Sequence, residues 1–283
     1  MGDISAHIDM WPKYFDGPIG FPGINLIVNP PETFFGTRIH WYGVIIAIGL
    51  LIAVAVCLKL SAKHGVSKDN ILDIVIYGIP SAIICARLYY VAFRWDSYSS
   101  NLSDIFKIWE GGIAIYGAII GAVITAILYC RFKKISFFKL ADVCSIGLTI
   151  GQSIGRWGNF VNREAFGSPT GKSLPWRMRL FTDATLKTWV DVHPAFLYES
   201  LWNVGVLILI LNVLKKKKYD GQVFWTYLTC YGLGRLWIEA LRTDSLYLGA
   251  FRISQVVALV TVVLGTLMLV VLSKKVKNTQ HNL

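Results

Sequence analysis

Charge is scarce in this chain of 283 residues. Only 16% of them are Asp, Glu, Lys or Arg, against about 25% in an ordinary soluble domain. Acidic residues are the scarcer half, 17 against 28 Lys and Arg, which leaves a formal net charge of +11. With 54% hydrophobic residues and a mean hydropathy of +0.53, that composition excludes an ordinary soluble domain and implies a membrane protein. Cysteine is also sparse and unpatterned. Cys57, Cys85, Cys130, Cys144 and Cys230 all fall inside apolar runs, with no CxxC and no Cys–His cluster of ligand spacing. A buried free cysteine behaves as a small hydrophobe, so neither a disulfide framework nor a metal site is expected. The first forty residues lack a basic stretch followed by an apolar core, so no cleavable signal peptide is expected. The absence of GxSxG, HxxxxD, HExxH and P-loop patterns argues against a serine hydrolase, an HxxxxD acyltransferase, a zinc protease and an ATPase.

What is present is seven apolar segments, near 41–60, 71–93, 111–130, 140–158, 194–214, 222–241 and 252–272. Each approaches the ~20 residues that a helix needs to cross a hydrocarbon core of ~30 Å. The expected fold class is therefore all-α: one integral membrane domain over residues 1–283 with seven transmembrane helices. Lysine and arginine segregate between the loops. The loops 59–70, 131–139, 215–221 and 273–283 hold 14 of them in 39 residues, and the opposite set holds 10 in 102. The dense set belongs in the cytoplasm, which puts the N-terminus outside and the C-terminus inside. The same segregation assigns the basic excess to anionic lipid rather than nucleic acid.

Residues 1–40 read as an external interfacial arm, with Trp11, Tyr14, Phe15, Phe34 and Phe35 suited to headgroup depth. Residues 159–193 are too polar to span. Turn signals at Pro169, Gly171, Pro175 and Asp183 make them a small external cap.

Ionisable residues inside spans are functional hypotheses by default. Arg87, Arg156 and Arg235 all fall toward the outer side under this topology, which points to a shared polar cavity. Arg87 admits a second reading, in which its head snorkels to the interface. Glu239 lies one helical turn from Arg235, at pairing distance. Gly111 and Gly112 open the third segment, where helix N-terminal amides attract anions, and Tyr116 follows just over a turn later. Gly117 and Gly121 form a GxxxG and read as a packing face. Arginine is the side chain suited to bidentate phosphate contacts. The residues alone thus describe an outward-facing, arginine-lined site for an anionic lipid or another phosphate-bearing molecule. An enzyme, or a transporter or flippase, would use such a site equally well.

The densest polar stretch, residues 155–167, reads GRWGNFVNREAFG. It resembles the GRxGNFxNxExxG motif of the prolipoprotein diacylglyceryl transferase family. HWYG at the first span, WEGGIAIYGAIIG at the third, HPAFLYES at the fifth and GLGRLWIEALRTD at the sixth are similar to that family's other motifs and stand in its order. The resemblance covers residue 38 to the C-terminus. It implies a bacterial plasma-membrane enzyme, working toward the outer leaflet, that transfers diacylglyceryl from phosphatidylglycerol to the lipobox cysteine of a prolipoprotein. It implies no metal or organic cofactor. By position, Arg156 corresponds to the lipid-binding arginine. Asn159, Glu164 and Gly167 fall on motif positions tied to activity, and Tyr42, Arg235 and Glu239 on essential ones. In one departure, Tyr116 stands where many members carry a histidine. The reference pKa of tyrosine, near 10, is far above the ~6.5 of histidine. Either Tyr116 orients the lipid, or the family's histidine is not the general base.

Overall fold

The computed structural model describes residues 17–37, 39–181, 188–243, 245, 247–249 and 251–281. Trp11, Tyr14, Phe15 and Asp183, named above as interfacial or turn residues, lie outside them. In chain order the strands and α-helices are β1 (Ile19–Phe21), β2 (Leu26–Val28), α1 (Trp41–Ser61), α2 (Lys68–Phe93), α3 (Trp95–Tyr98), α4 (Ile115–Lys133), α5 (Phe137–Val161), β3 (Met178–Phe181), β4 (Trp189–Val192), α6 (Ala195–Lys216), α7 (Gln222–Leu241), β5 (Tyr247–Leu248), β6 (Phe251–Arg252) and α8 (Ile253–His281). Each of the seven apolar segments forms a long helix. Five of these, α1, α2, α4, α6 and α8, are long and apolar enough to cross a membrane. The other two are more polar for a visible reason. In α5, Asp142, Ser145 and Thr149 are fully buried, and α7 buries Glu239. Side chains of that kind face protein, where partners satisfy them, and not lipid.

Contacts divide the chain into two compact units, Val56–Cys144 and Met1–Ala55 with Ser145–Leu283. In the first, α2 and α4 pack closely because glycines leave α4 bare. A Cβ at Gly117 would sit 2.5 Å from the Cys85 carbonyl oxygen, and one at Gly121 would sit 2.7 Å from Cys85 Cβ. The GxxxG therefore serves packing. The glycine pair ahead of it lies outside the helix. Helix α4 begins at Ile115, and Gly111 and Gly112 adopt φ of 91° and 74° in the connection before it. The expectation of a helix N-terminus at Gly111 is corrected accordingly.

The all-α expectation also needs correction. In the second unit a four-stranded antiparallel sheet, ordered β2-β1-β3-β4, joins residues 17–37 to the 159–193 segment. Part of the sequence expected to form the arm is thus built into a sheet. Alternation explains it. Met178, Leu180, Val190 and Val192 point inward from β3 and β4 and meet Ile19, Phe166 and Phe196 in one buried cluster. Strands of three or four residues are too short for period-2 patterning to stand out beside long apolar helices. On the other face of β3 and β4, Asp191 accepts hydrogen bonds from Arg179 (2.6 Å) and Arg177 (3.0 Å).

The hydrogen bond from Arg179 above all, assisted by the charge of both arginines, holds the Asp191 carboxyl below the usual aspartate range. A depressed folded pKa contributes stability above the unfolded value, near 3.9, and loses it as pH falls through the folded value. Proteolysis of the sheet segment should therefore accelerate below about pH 4. Asp191→Asn should flatten that acid limb while raising cleavage at neutral pH. An unchanged pH profile in the variant would exclude Asp191 as its source.

Candidate functional site

Arg156 and Asn159 lie in the last turns of α5, Glu199 in the first turns of α6, and Arg235 and Glu239 toward the end of α7. Three elements thus deliver charged side chains to one place. Glu199, only 6% exposed, is the hub. It pairs with Arg156 Nη2 at 2.7 Å, with Arg235 Nη1 at 3.3 Å and with Arg242 Nη1 at 3.2 Å. Arg235 Nη2 also meets Glu239 Oε2 at 2.6 Å, as its spacing foretold. Arg242 Nε lies 3.9 Å from the same oxygen. Three guanidinium groups and two carboxylates thus meet directly, in partial burial where a charge is felt strongly.

The 155–167 stretch orients the first of these arginines. Arg156 Nη1 donates to Asn159 Oδ1 at 3.2 Å, and Asn159 Nδ2 in turn donates to Glu164 Oε1 at 2.8 Å. Asn162 Nδ2 reaches the same oxygen at 3.4 Å. The glycines of the stretch admit neighbours. A Cβ on Gly158 would lie 2.7 Å from the Tyr42 ring, so this glycine lets Tyr42 rest against the motif. A Cβ on Gly167 would lie 2.6 Å from His193 Cβ. There the backbone makes a three-way junction: the Gly167 amide donates to the His193 carbonyl, the His193 amide to Ser168, and the Ser168 amide to Leu241. The junction fixes the start of α6 against the end of α7, which is how Glu199 and Arg242 meet. Gly167, on a motif position tied to activity, has its Cβ space filled by protein.

Arg163, the second arginine of the stretch, is 2% exposed. It donates to the carbonyls of Gly17, Val161 and Pro30 and to Asn29 Oδ1. It therefore fastens residues 17–30 to the motif. At the start of α6, burial lowers the His193 pKa and favours the neutral ring. His193 Nδ1 lies 3.2 Å from Tyr198 Oη, which accepts a hydrogen bond from Trp176 Nε1 at 2.9 Å.

Tyr116, Arg87, Gly111 and Gly112 belong to the Val56–Cys144 unit. Tyr116 is half-buried in the first turn of α4. Arg87 does not snorkel. It is buried, and its N–H groups are matched by the carbonyls of Asp104, Ile105, Lys107, Gly111 and Gly112. Five donors on five acceptors exhaust a guanidinium. Arg87 thus closes the 104–112 connection, and the two glycines offer it carbonyls where amides toward an anion were expected. Sequence reasoning missed Glu199 and Arg242 as partners. The available signal was a carboxylate inside an apolar helix, which requires a nearby cation.

A family model described as prolipoprotein diacylglyceryl transferase matches residues 32–271. The phosphatidylglycerol–prolipoprotein diacylglyceryl transferase of Clostridioides difficile (strain 630) is 46% identical over 246 residues, covering 87% of this chain and 96% of that protein. The protein of the same name from Finegoldia magna is 43% identical over 245 residues, covering 86% and 95%. That from Listeria monocytogenes serovar 1/2a is 48% identical over 230 residues, covering 80% and 83%.

If Glu199 is the common anion of the cluster, Glu199→Gln leaves three arginines to repel one another. Removing one partner of a buried ionic group should cost roughly 3 kcal/mol. Glu164→Gln, which keeps a hydrogen-bonding side chain and touches no arginine directly, should cost much less. Thermal unfolding in detergent measures both, and equal melting temperatures for wild type and Glu199→Gln would refute the hub.

Proposed function

The chain belongs to the prolipoprotein diacylglyceryl transferase family, and from that membership we propose that it transfers the diacylglyceryl group of phosphatidylglycerol to the lipobox cysteine thiol of a prolipoprotein. The other product is glycerol 1-phosphate. The observation that carries the proposal is the convergence of Arg156, Arg235 and Arg242 on Glu199.

The chain is a multi-pass membrane protein. In our reading α5 and α7 cross the bilayer with the five apolar helices, giving seven spans with the N-terminus outside and the C-terminus cytoplasmic. The lysine-dense loops support that orientation. The sheet then forms the external cap, and the arginine cluster faces the outer leaflet of the bacterial plasma membrane. The family motifs support assigning the whole described chain to one membrane-embedded enzyme.

Arg156 and Arg235 hold the lipid phosphate and stabilise the charge that develops on the departing group. The cysteine thiolate attacks the glycerol carbon. The carbon–sulfur bond forms as the carbon–oxygen bond to phosphate breaks, and the electron pair leaves with glycerol phosphate. The thiol proton passes to water or to the released phosphate. Nearby positive charge lowers a thiol pKa, so no dedicated base is required. Glu239 holds Arg235, and Asn159 with Glu164 aims Arg156. Tyr42 orients the lipid, and the family resemblance assigns Tyr116 a lipid-orienting role by its motif position.

Arg156→Ala should abolish thioether formation in phosphatidylglycerol vesicles with a lipobox peptide. The variant should stay folded, because Glu199 keeps Arg235 and Arg242. Turnover like that of wild type would sink the assignment. Tyr116→Phe should retain activity within a few-fold, and its complete loss would identify the phenol as a proton acceptor.

A further inference from the structure

One face of α8 is built for an amphiphile. Thr266, Leu269, Val270, Ser273, Lys274 and Lys277 line an open groove of about 380 Å³. Their spacing of three and four residues puts them on a single helix face. The face is graded, with Thr266, Leu269 and Val270 nearer the middle of the helix and the Ser273 hydroxyl and two ammonium groups at its end. The connection between α6 and α7 leans on the polar end. Tyr219 Oη lies 3.4 Å from both Ser273 Oγ and the Leu269 carbonyl oxygen. Asp220 in that connection is occupied by Lys217 at 3.0 Å, so it does not neutralise the groove lysines.

Depth selects the ligand. Helix α8 begins beside the arginine cluster, where Arg252 donates to the Glu239 carbonyl and Gln255 Nε2 donates to the Leu236 carbonyl at 3.0 Å. Lys274 is 21 residues beyond Ile253, a rise of ~32 Å at 1.5 Å per residue. The hydrocarbon core is ~30 Å thick. The lysines therefore reach the opposite headgroup layer, with Leu269 and Val270 at acyl-chain depth below it.

We propose that this face of α8 binds an anionic phospholipid of the leaflet opposite the arginine cluster. The phosphate sits against Lys274, Lys277 and the Ser273 hydroxyl, and an acyl chain runs along Val270, Leu269 and Thr266. The complementarity of two cations to an anionic headgroup selects it over a zwitterionic one. This site is separate from the transferase site and does not rest on that reading.

The test uses the full chain in nanodiscs containing phosphatidylglycerol with a diazirine in its acyl chain. After photolysis, peptides are mapped by mass spectrometry. Label should appear within residues 266–277 and fall about tenfold in the Lys274→Gln/Lys277→Gln variant, given the attraction of each lysine to an anionic surface. Lys274→Arg/Lys277→Arg should keep it, which controls for folding, and both variants should retain transferase activity. Equal labelling by a phosphatidylcholine probe would mean unselective boundary lipid and overturn the proposal. So would labelling indifferent to the glutamine variant, or labelling removed by excess inorganic phosphate, which would indicate a simple anion site.

Discussion

The arrangement depends on one shared anion. Three guanidinium groups delivered by α5, by α7 and by the residue just after α7 would repel one another if brought together without a counter-charge. Glu199 supplies it from α6, and its two oxygens divide among Arg156, Arg235 and Arg242. The cluster therefore acts as a joint between helices as well as a chemical site. A second carboxylate, Glu239, restrains Arg235 from within its own helix. The pairs are not fully sunk. Arg156 keeps 23% of its side chain exposed while Glu199 keeps 6%, so the buried member is the anion and the cations form the accessible rim.

Backbone conformation serves the same joint. Arg163 and Ala165 adopt φ of 53° and 55°, a region that costs a non-glycine residue about 1 kcal/mol or more. The surroundings hold them there. Arg163 makes four hydrogen bonds to residues 17–30 and Val161, while Phe166 enters the sheet's apolar cluster. Between the two strained residues, Glu164 turns back to accept hydrogen bonds from Asn159 and Asn162. The sheet is thus part of what orients Arg156, although it contributes no charged group to the cluster.

Much of this was legible in the sequence, and the part that was not has a common cause. Helices are readable because the hydrophobic run sets their length. The pairing of Arg235 with Glu239 is readable because it is local, one turn apart. Tyr42 against Gly158, Gly167 against His193, and Glu199 among three arginines join residues far apart in sequence, and no local pattern encodes them. Arg87 shows the hazard of reasoning by residue type. A buried arginine in an apolar segment suggests an anion, yet carbonyl oxygens of a folded-back connection satisfy it equally well. The small sheet was hidden because its strands are shorter than the window in which alternation is visible.

Charge arithmetic relates the resting cluster to the chemistry proposed for it. A carboxylate and a phosphodiester each carry one negative charge and present oxygens in a geometry that matches a guanidinium fork. Glu199 already occupies the inner side of the three arginines, so they are held in place before any lipid arrives, and no ordering of flexible side chains is required at that moment. In the proposed function, the exposed faces of these arginines are the groups that meet the phosphodiester. In that proposal, as the carbon–oxygen bond breaks, the leaving group gains a second negative charge, and the same rim gains attraction where the charge grows. Groups that hold the ground state and the departing dianion unequally lower the barrier. A pre-formed arginine cluster of this kind is the feature that the proposal assigns to that requirement.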